Sequence, residues 1–162
     1  MGRPYDTISL LTDLGRLDEA VGVLHAIARD VAPHARIVDL NHAVEPGDVR
    51  NAALSLARAA PYLPEGVVVV SVDAPGARLV AVEVAGGAGV FVGPDNGVLA
   101  AAVAITGGAE RAVHLDRGDT HLASPGIVAP ARDVLMPVAA ALCNAADLTD
   151  GADIGAHHGR TR

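Results

Sequence analysis

Short β-branched runs and longer stretches of helical spacing follow one another from Ile8 to Ala146, the pattern of an α/β domain. Ile8 to Leu11 reads as the first strand, and it ends at Thr12-Asp13-Leu14-Gly15, where polar residues and a glycine carry the chain out of the sheet. Leu17, Val21, Leu24, Ile27, Ala28 and Val31 then recur at helical spacing. Asp18 and Glu19 stand where a helix N-terminus favours carboxylates, and Pro33 stops the helix. A second strand is expected over Arg36 to Leu40. Asp48 suits the N-cap of a helix reaching about Ala60, and Val67 to Val72 is an unbroken run suited to a strand buried on both faces.

Leu79 to Val84 and Val90 to Val92 flank Gly86-Gly87-Ala88-Gly89, a hairpin pattern that adds an antiparallel pair to an otherwise parallel sheet. A turn at Gly93-Pro94-Asp95-Asn96-Gly97 leads to a helix from Val98 to about Thr106, then a strand at Arg111 to Leu115. After a long loop, a last helix is expected from about Arg132 to Ala146, bent or restarted by Pro137. The expected fold is therefore a three-layer α/β/α domain over residues 1–150 with a mixed, mostly parallel sheet. Residues 151–162 read as a loosely structured tail, in which His157 and His158 are too isolated for a metal site.

Composition narrows the partners. With 162 residues, 51% of them apolar, one domain has enough material for a full core. A net charge of −7, from 19 acidic and 12 basic residues, offers no basic surface for nucleic acid or anionic membrane. The only cysteine, Cys143, rules out an internal disulfide and reads as a buried thiol, and the first apolar run is too short for a signal peptide or a membrane span. A cytoplasmic protein is expected. Aromatics are 2% of the chain (Tyr5, Tyr62, Phe91), which leaves little to stack on a purine.

Ligands of α/β sheets bind beyond the carboxyl ends of the strands. Asp13 follows the first strand and Asp73 follows the valine run, so parallel strands bring both carboxylates to one rim, where each can take the hydroxyls of a ribose or simply cap a turn. The series Asp39, His42, Glu45, Asp48 has a metal-like spacing, but Pro46 and Gly47 break it, and solvated loop polars with a helix cap account for it better. No phosphate-binding glycine motif or paired CxxC occurs.

Four segments in order carry a resemblance: I-S-L-L-T-D-L-G at 8–15, A-R-I-V-D-L-N-H-A-V-E-P-G-D-V-R at 35–50, V-G-P-D-N-G-V-L at 92–99 and R-D-V-L-M-P-V-A-A at 132–140. Together they resemble the N-terminal domain of the S-adenosylmethionine hydroxide adenosyltransferases and the related chlorinases and fluorinases. The resemblance implies displacement at the ribose 5′ carbon of S-adenosylmethionine, which is substrate and not cofactor, with methionine as leaving group. It also implies that Asp13 holds the ribose hydroxyls, that Asp18 faces the methionine end, that Asp95 and Asn96 are substrate-binding, and that Asp73 and Arg78 belong to an Asp-Arg-His set orienting water. A fixed negative charge at Asp73 favours water over halide. No metal is implied.

The chain also departs from that family's pattern. The loop Asp73-Ala74-Pro75-Gly76-Ala77-Arg78 is two residues shorter than usual, and Pro130 stands where the hydrolases carry the histidine of H-G-R-D. His121, in the same long loop, reads as a surface residue. The family's smaller β-rich C-terminal domain, which covers the adenine and often does so across a trimer interface, has no counterpart in these residues. Three readings remain open at this level: an S-adenosylmethionine hydrolase that acts weakly or with a partner chain supplying the cover, a non-catalytic module binding a nucleoside, S-adenosylmethionine or a protein, and a structural oligomer subunit.

Overall fold

In the computed structural model, which describes residues 4–115, 122 and 129–148, six strands form one sheet in the order β2-β1-β3-β5-β4-β6. The strands are β1 (Thr7–Thr12), β2 (Arg36–Asn41), β3 (Gly66–Ser71), β4 (Leu79–Val84), β5 (Gly89–Pro94) and β6 (Ala109–His114). The helices are α1 (Ala20–Val31), α2 (Val49–Ala59), α3 (Ala100–Ile105) and α4 (Met136–Cys143). β4 alone runs against the other strands, pairing antiparallel with both β5 and β6. This is the expected mixed, mostly parallel three-layer architecture.

The alternating direction of side chains along a strand divides the core between two faces. Val67 and Val69 point to the layer of α1 and α4, with Leu10, Leu24, Leu135 and Met136. Val68 and Val70 point to the layer of α2 and α3, with Leu11, Leu56, Phe91 and Val98. Every residue of β3 is buried, as the uninterrupted valine run predicts, and each of those valines contributes on the order of 1.5 kcal/mol. The outer strands β2 and β6 have mostly exposed or half-buried residues. Among the described residues no helix is long and apolar enough to cross a membrane.

Local chemistry explains where elements begin and end. Asp48 caps α2 as expected, its side chain accepting from the Asn51 amide. The hairpin at residues 85–88 is also present. α1 starts at Ala20 and not at Leu17, because Gly15 adopts φ +76° and the Asp18 carboxylate accepts the Ala20 N–H at 3.0 Å, closing the first turn from outside. Leu17 is left fully exposed.

The last helix is more altered. Residues 131–135 form a wide π turn before α4, which ends at Cys143 and not at Ala146, where Ala145 takes φ +64°. Pro137 has no N–H to offer the Asp133 carbonyl one turn back, and the Leu122 amide bonds that carbonyl instead at 2.9 Å. β6 begins at Ala109, earlier than Arg111. The expected tail, with His157 and His158, lies outside the described residues.

Burial, with a smaller push from the Asp6 charge, raises the Cys143 thiol to about 12. The native protein at about pH 8 should therefore not react with a disulfide reagent until denaturant is added; rapid native reaction would contradict this packing. Gly66 has φ +156°, and a Cβ there would strike the Thr7 carbonyl oxygen across the β1–β3 pair. Gly66→Ala should destabilise the domain by roughly 1–3 kcal/mol in urea unfolding.

Candidate functional site

The chain leaves β1 through α1 to reach β2 on one side, then returns through α2 on the opposite face to enter β3 on the other side of β1. The strand order therefore reverses between β1 and β3, with helices on opposite faces at that point, the position beyond the carboxyl ends where ligands of open α/β sheets bind. The last paired residues there are Thr12 and Ser71. The candidate site is built on the loops that leave the sheet beyond this pair.

Asp13 is half-buried and anchored, its amide donating to the Ser71 carbonyl at 3.0 Å. Its Oδ2 accepts two backbone N–H groups, from Gly47 and from Asp73, each at 3.0 Å. One carboxylate oxygen thus joins the loops after β1, β2 and β3, while Oδ1 takes no hydrogen bond among the described residues. Charge-assisted bonds of this kind are about twice as strong as neutral ones. Asp13 therefore organises the turns around it while standing at the rim beside Asp73.

Asp73 is exposed and has φ +52°, a left-handed conformation that aspartate adopts more readily than most residues. Gly47 also has positive φ, +79°, and a Cβ on it would sit 3.7 Å from Asp73 Oδ1, so the Asp73 carboxylate lies over Gly47. Asn96 brings in a fourth loop. Its Nδ2 donates to the Val72 carbonyl at 3.0 Å and its Oδ1 accepts the Val98 amide at 3.2 Å. Asp95 is exposed and its amide donates to the Arg78 carbonyl at 2.7 Å, placing Arg78 beside the end of β5. Asp13, Asp73 and Asn96 are therefore gathered, with Asp95 and Arg78 at their flank. Asp18 is separate: its described bond is to Ala20 in its own loop.

The π turn also opens at this rim. His34 Nε2 bonds the carbonyls of Tyr5 and Cys143, so α4 ends at the opposite pole and starts near the rim. Asp133, 3% exposed, accepts from Arg132 at 2.8 and 3.0 Å and from the Ala129 amide at 2.8 Å. The Arg132 guanidinium holds its carboxyl below the usual aspartate range against the opposing effect of burial, with help from the Ala129 amide. Pro130 precedes this turn, while His121 lies outside the described residues.

One group departs from its expected role. His42 is 2% exposed, not a solvated loop residue, although Glu45 is exposed and Asp48 is a cap as expected. His42 Nδ1 lies 2.8 Å from Thr12 Oγ1 and its Nε2 lies 2.7 Å from Asp39 Oδ1, which also pairs with His25 Nε2 at 3.0 Å. Burial raises the Asp39 carboxyl, but hydrogen bonds from His42 and His25 outweigh this and hold it below its ordinary value. The three-residue Asp39–His42 spacing is the one available signal in the sequence; Thr12, far away along the chain, carries none.

The chain is similar to known proteins over most of its length. The family model for the SAM hydroxide adenosyltransferase N-terminal domain matches residues 8–151. An (R)-S-adenosyl-L-methionine hydrolase of Salinispora tropica is 42% identical over 149 residues, covering 91% of this chain and 57% of that protein. One from Salinispora arenicola is 43% identical over 145 residues, with 88% and 55% covered. An uncharacterized conserved protein from Thermotoga maritima has a crystal structure matching with a TM-score of 0.81 at 31% identity, covering 90% of this chain and 57% of that one. The chain spans about half the length of the curated relatives it matches.

Because the folded Asp39 carboxyl is depressed, its stabilisation is complete above the ordinary aspartate value and is lost as pH falls through the lower folded one. Asp39→Asn should therefore flatten the acid limb of stability between about pH 5 and pH 2, measured as urea midpoints. An acid limb as steep as that of the parent protein would refute the assignment.

Proposed function

This chain belongs to the SAM hydroxide adenosyltransferase N-terminal domain family, and from that premise we propose that its Asp13–Asp73 rim binds S-adenosylmethionine and directs water to the ribose 5′ carbon. The observation carrying the proposal is the convergence of Asp13, Asp73 and Asn96 at the strand-order reversal. Asp13 Oδ1, free of the backbone bonds made by Oδ2, accepts from the ribose hydroxyls. Asp95 and Asn96 line the same ligand from the β5 side, and Asp18 meets the methionine end when the exposed 16–19 loop folds toward it.

The reaction is an in-line substitution. The water oxygen bonds to C5′, the C5′–S bond breaks with its electron pair passing to sulfur, and methionine leaves as a neutral thioether. The water proton passes to Asp73 or to solvent, giving adenosine. Sulfonium is already a good leaving group, so alignment of oxygen, carbon and sulfur and partial drying of the nucleophile supply most of the rate. Asp73 is an exposed carboxylate, which attracts water hydrogens and repels chloride or fluoride, and Arg78, the second member of the pair, helps to orient the water. The product is adenosine and not a halogenated nucleoside.

Two features favour low turnover by this chain alone. Pro130 has no proton-accepting group, and the exposed rim residues leave a bound nucleophile hydrated. A cover supplied by further sequence, by a partner chain or across a homo-oligomer such as a trimer would dry the site. Pro130 also supports the second reading, a module that binds S-adenosylmethionine or a nucleoside without turning it over.

Purified protein should give a calorimetric signal with S-adenosylmethionine and release adenosine and methionine slowly, with no chlorinated nucleoside in chloride buffer. Asp73→Asn, which tolerates the same backbone conformation, should keep binding and lower adenosine release by about tenfold or more. Binding without release would select the non-catalytic module, and absence of heat with both S-adenosylmethionine and adenosine would leave a structural role.

A further inference from the structure

The chain of side chains from His25 through Asp39 and His42 to Thr12 lies outside the groups that face the ligand, yet it ends directly beneath Asp13. Its hydrogen-bond directions can be assigned from the donors and acceptors present. Asp39 as a carboxylate can only accept, so the nitrogens facing it, His42 Nε2 at 2.7 Å and His25 Nε2 at 3.0 Å, carry hydrogens. In neutral His42, Nδ1 is then a bare acceptor and receives the Thr12 hydroxyl at 2.8 Å. Thr12 Oγ1 in turn accepts the Leu14 amide at 3.3 Å. Donation thus runs in a single direction from Leu14 to Thr12 to His42 to Asp39, and His25 donates to the same Asp39 oxygen from α1.

His42 holds the segment at a second point. Its carbonyl accepts the Gly15 amide at 2.8 Å. Thr12 and Gly15, on either side of Asp13 and Leu14, are thus both bonded to one residue that is 2% exposed. The Asp13 carboxylate stands on a four-residue arch whose two feet rest on His42, and Gly15 can form its foot because its φ is +76°.

We propose that His42, in its Nε2-protonated tautomer, is a positioning residue for the ligand site, fixing the Asp13 carboxylate through the Thr12 hydroxyl and the Gly15 amide. Asp39 acts one step further back by selecting that tautomer, as second partners of buried histidines do. His25 ties Asp39 to α1, so the support reaches from an exposed helix face to the rim. The proposal deepens the S-adenosylmethionine reading and rests on it for what Asp13 finally holds.

Its test has two layers so that the two readings fail separately. Without ligand, imidazole nitrogen resonances should show His42 protonated at Nε2 and bare at Nδ1; a proton on Nδ1 would overturn the proposal. In Thr12→Val, which keeps the shape and removes the hydroxyl, hydrogen exchange of the Gly47 and Asp73 amides should accelerate about fivefold while the Val69 amide in β3 is unaffected. Thr12→Ser should restore the parent rates, and unchanged exchange in Thr12→Val would overturn the proposal. With ligand, affinity for S-adenosylmethionine should fall by a similar factor in Thr12→Val and in His42→Leu, and recover in His42→Asn, whose side-chain oxygen can replace Nδ1 as acceptor. Should the unaltered protein bind no S-adenosylmethionine, the functional reading falls while the tautomer and exchange results still decide the role of His42.

Discussion

One carboxylate oxygen holds the functional end of this domain together. Asp13 Oδ2 takes the amides of Gly47 and Asp73, and by doing so joins loops that arrive from three different strands. Loops at a strand-order reversal diverge by nature, since the helices they lead to lie on opposite faces. An ionised acceptor between them opposes that divergence. The bond also sets the backbone of Asp73, whose left-handed conformation aims its N–H inward at Asp13 and leaves its own side chain outward. The two aspartates are therefore not equivalent: one is the fastener, and the other is presented by it.

That arrangement depends on a rigid base. β3 is buried along its whole length between β1 and β5, and its valines face both helical layers in turn. A strand so enclosed cannot shift register without exposing one face of the core, which fixes Thr12 beside Ser71 at the rim. The backbone of Asp13 begins from that pair, so placement of its carboxylate derives ultimately from aliphatic packing below it. Hydrogen bonds then refine a position that burial has already chosen.

Much of the fold is legible in the sequence because the determining signals are local. The valine run, the glycines of the β4–β5 hairpin and the Asp48 cap each act within a few residues, and each appears where its signal stands. The helical period alone puts the start of α1 too early, because Leu17 fits it, whereas the Asp18 side chain closes the turn only at Ala20. At the site, adjacency of Asp13 and Asp73 is a consequence of parallel strands. The form of that adjacency is not: a carboxylate accepting its neighbour's backbone amide looks the same in sequence as two carboxylates facing one ligand. His42 is harder still, since its burial comes with a bond to Thr12, 30 residues earlier. Polar loop composition says nothing about such a partner.

The reversed direction of β4 separates the two ends of the molecule. Its antiparallel pairing with β5 sends the 85–88 turn to the pole opposite Asp13, where Tyr5 Oη donates to the Gly87 carbonyl. A fluorophore or short peptide spliced into that turn would sit a full strand length from the ligand rim. The same architecture that concentrates loops at one pole thereby leaves the other as a handle for immobilising or visualising the domain.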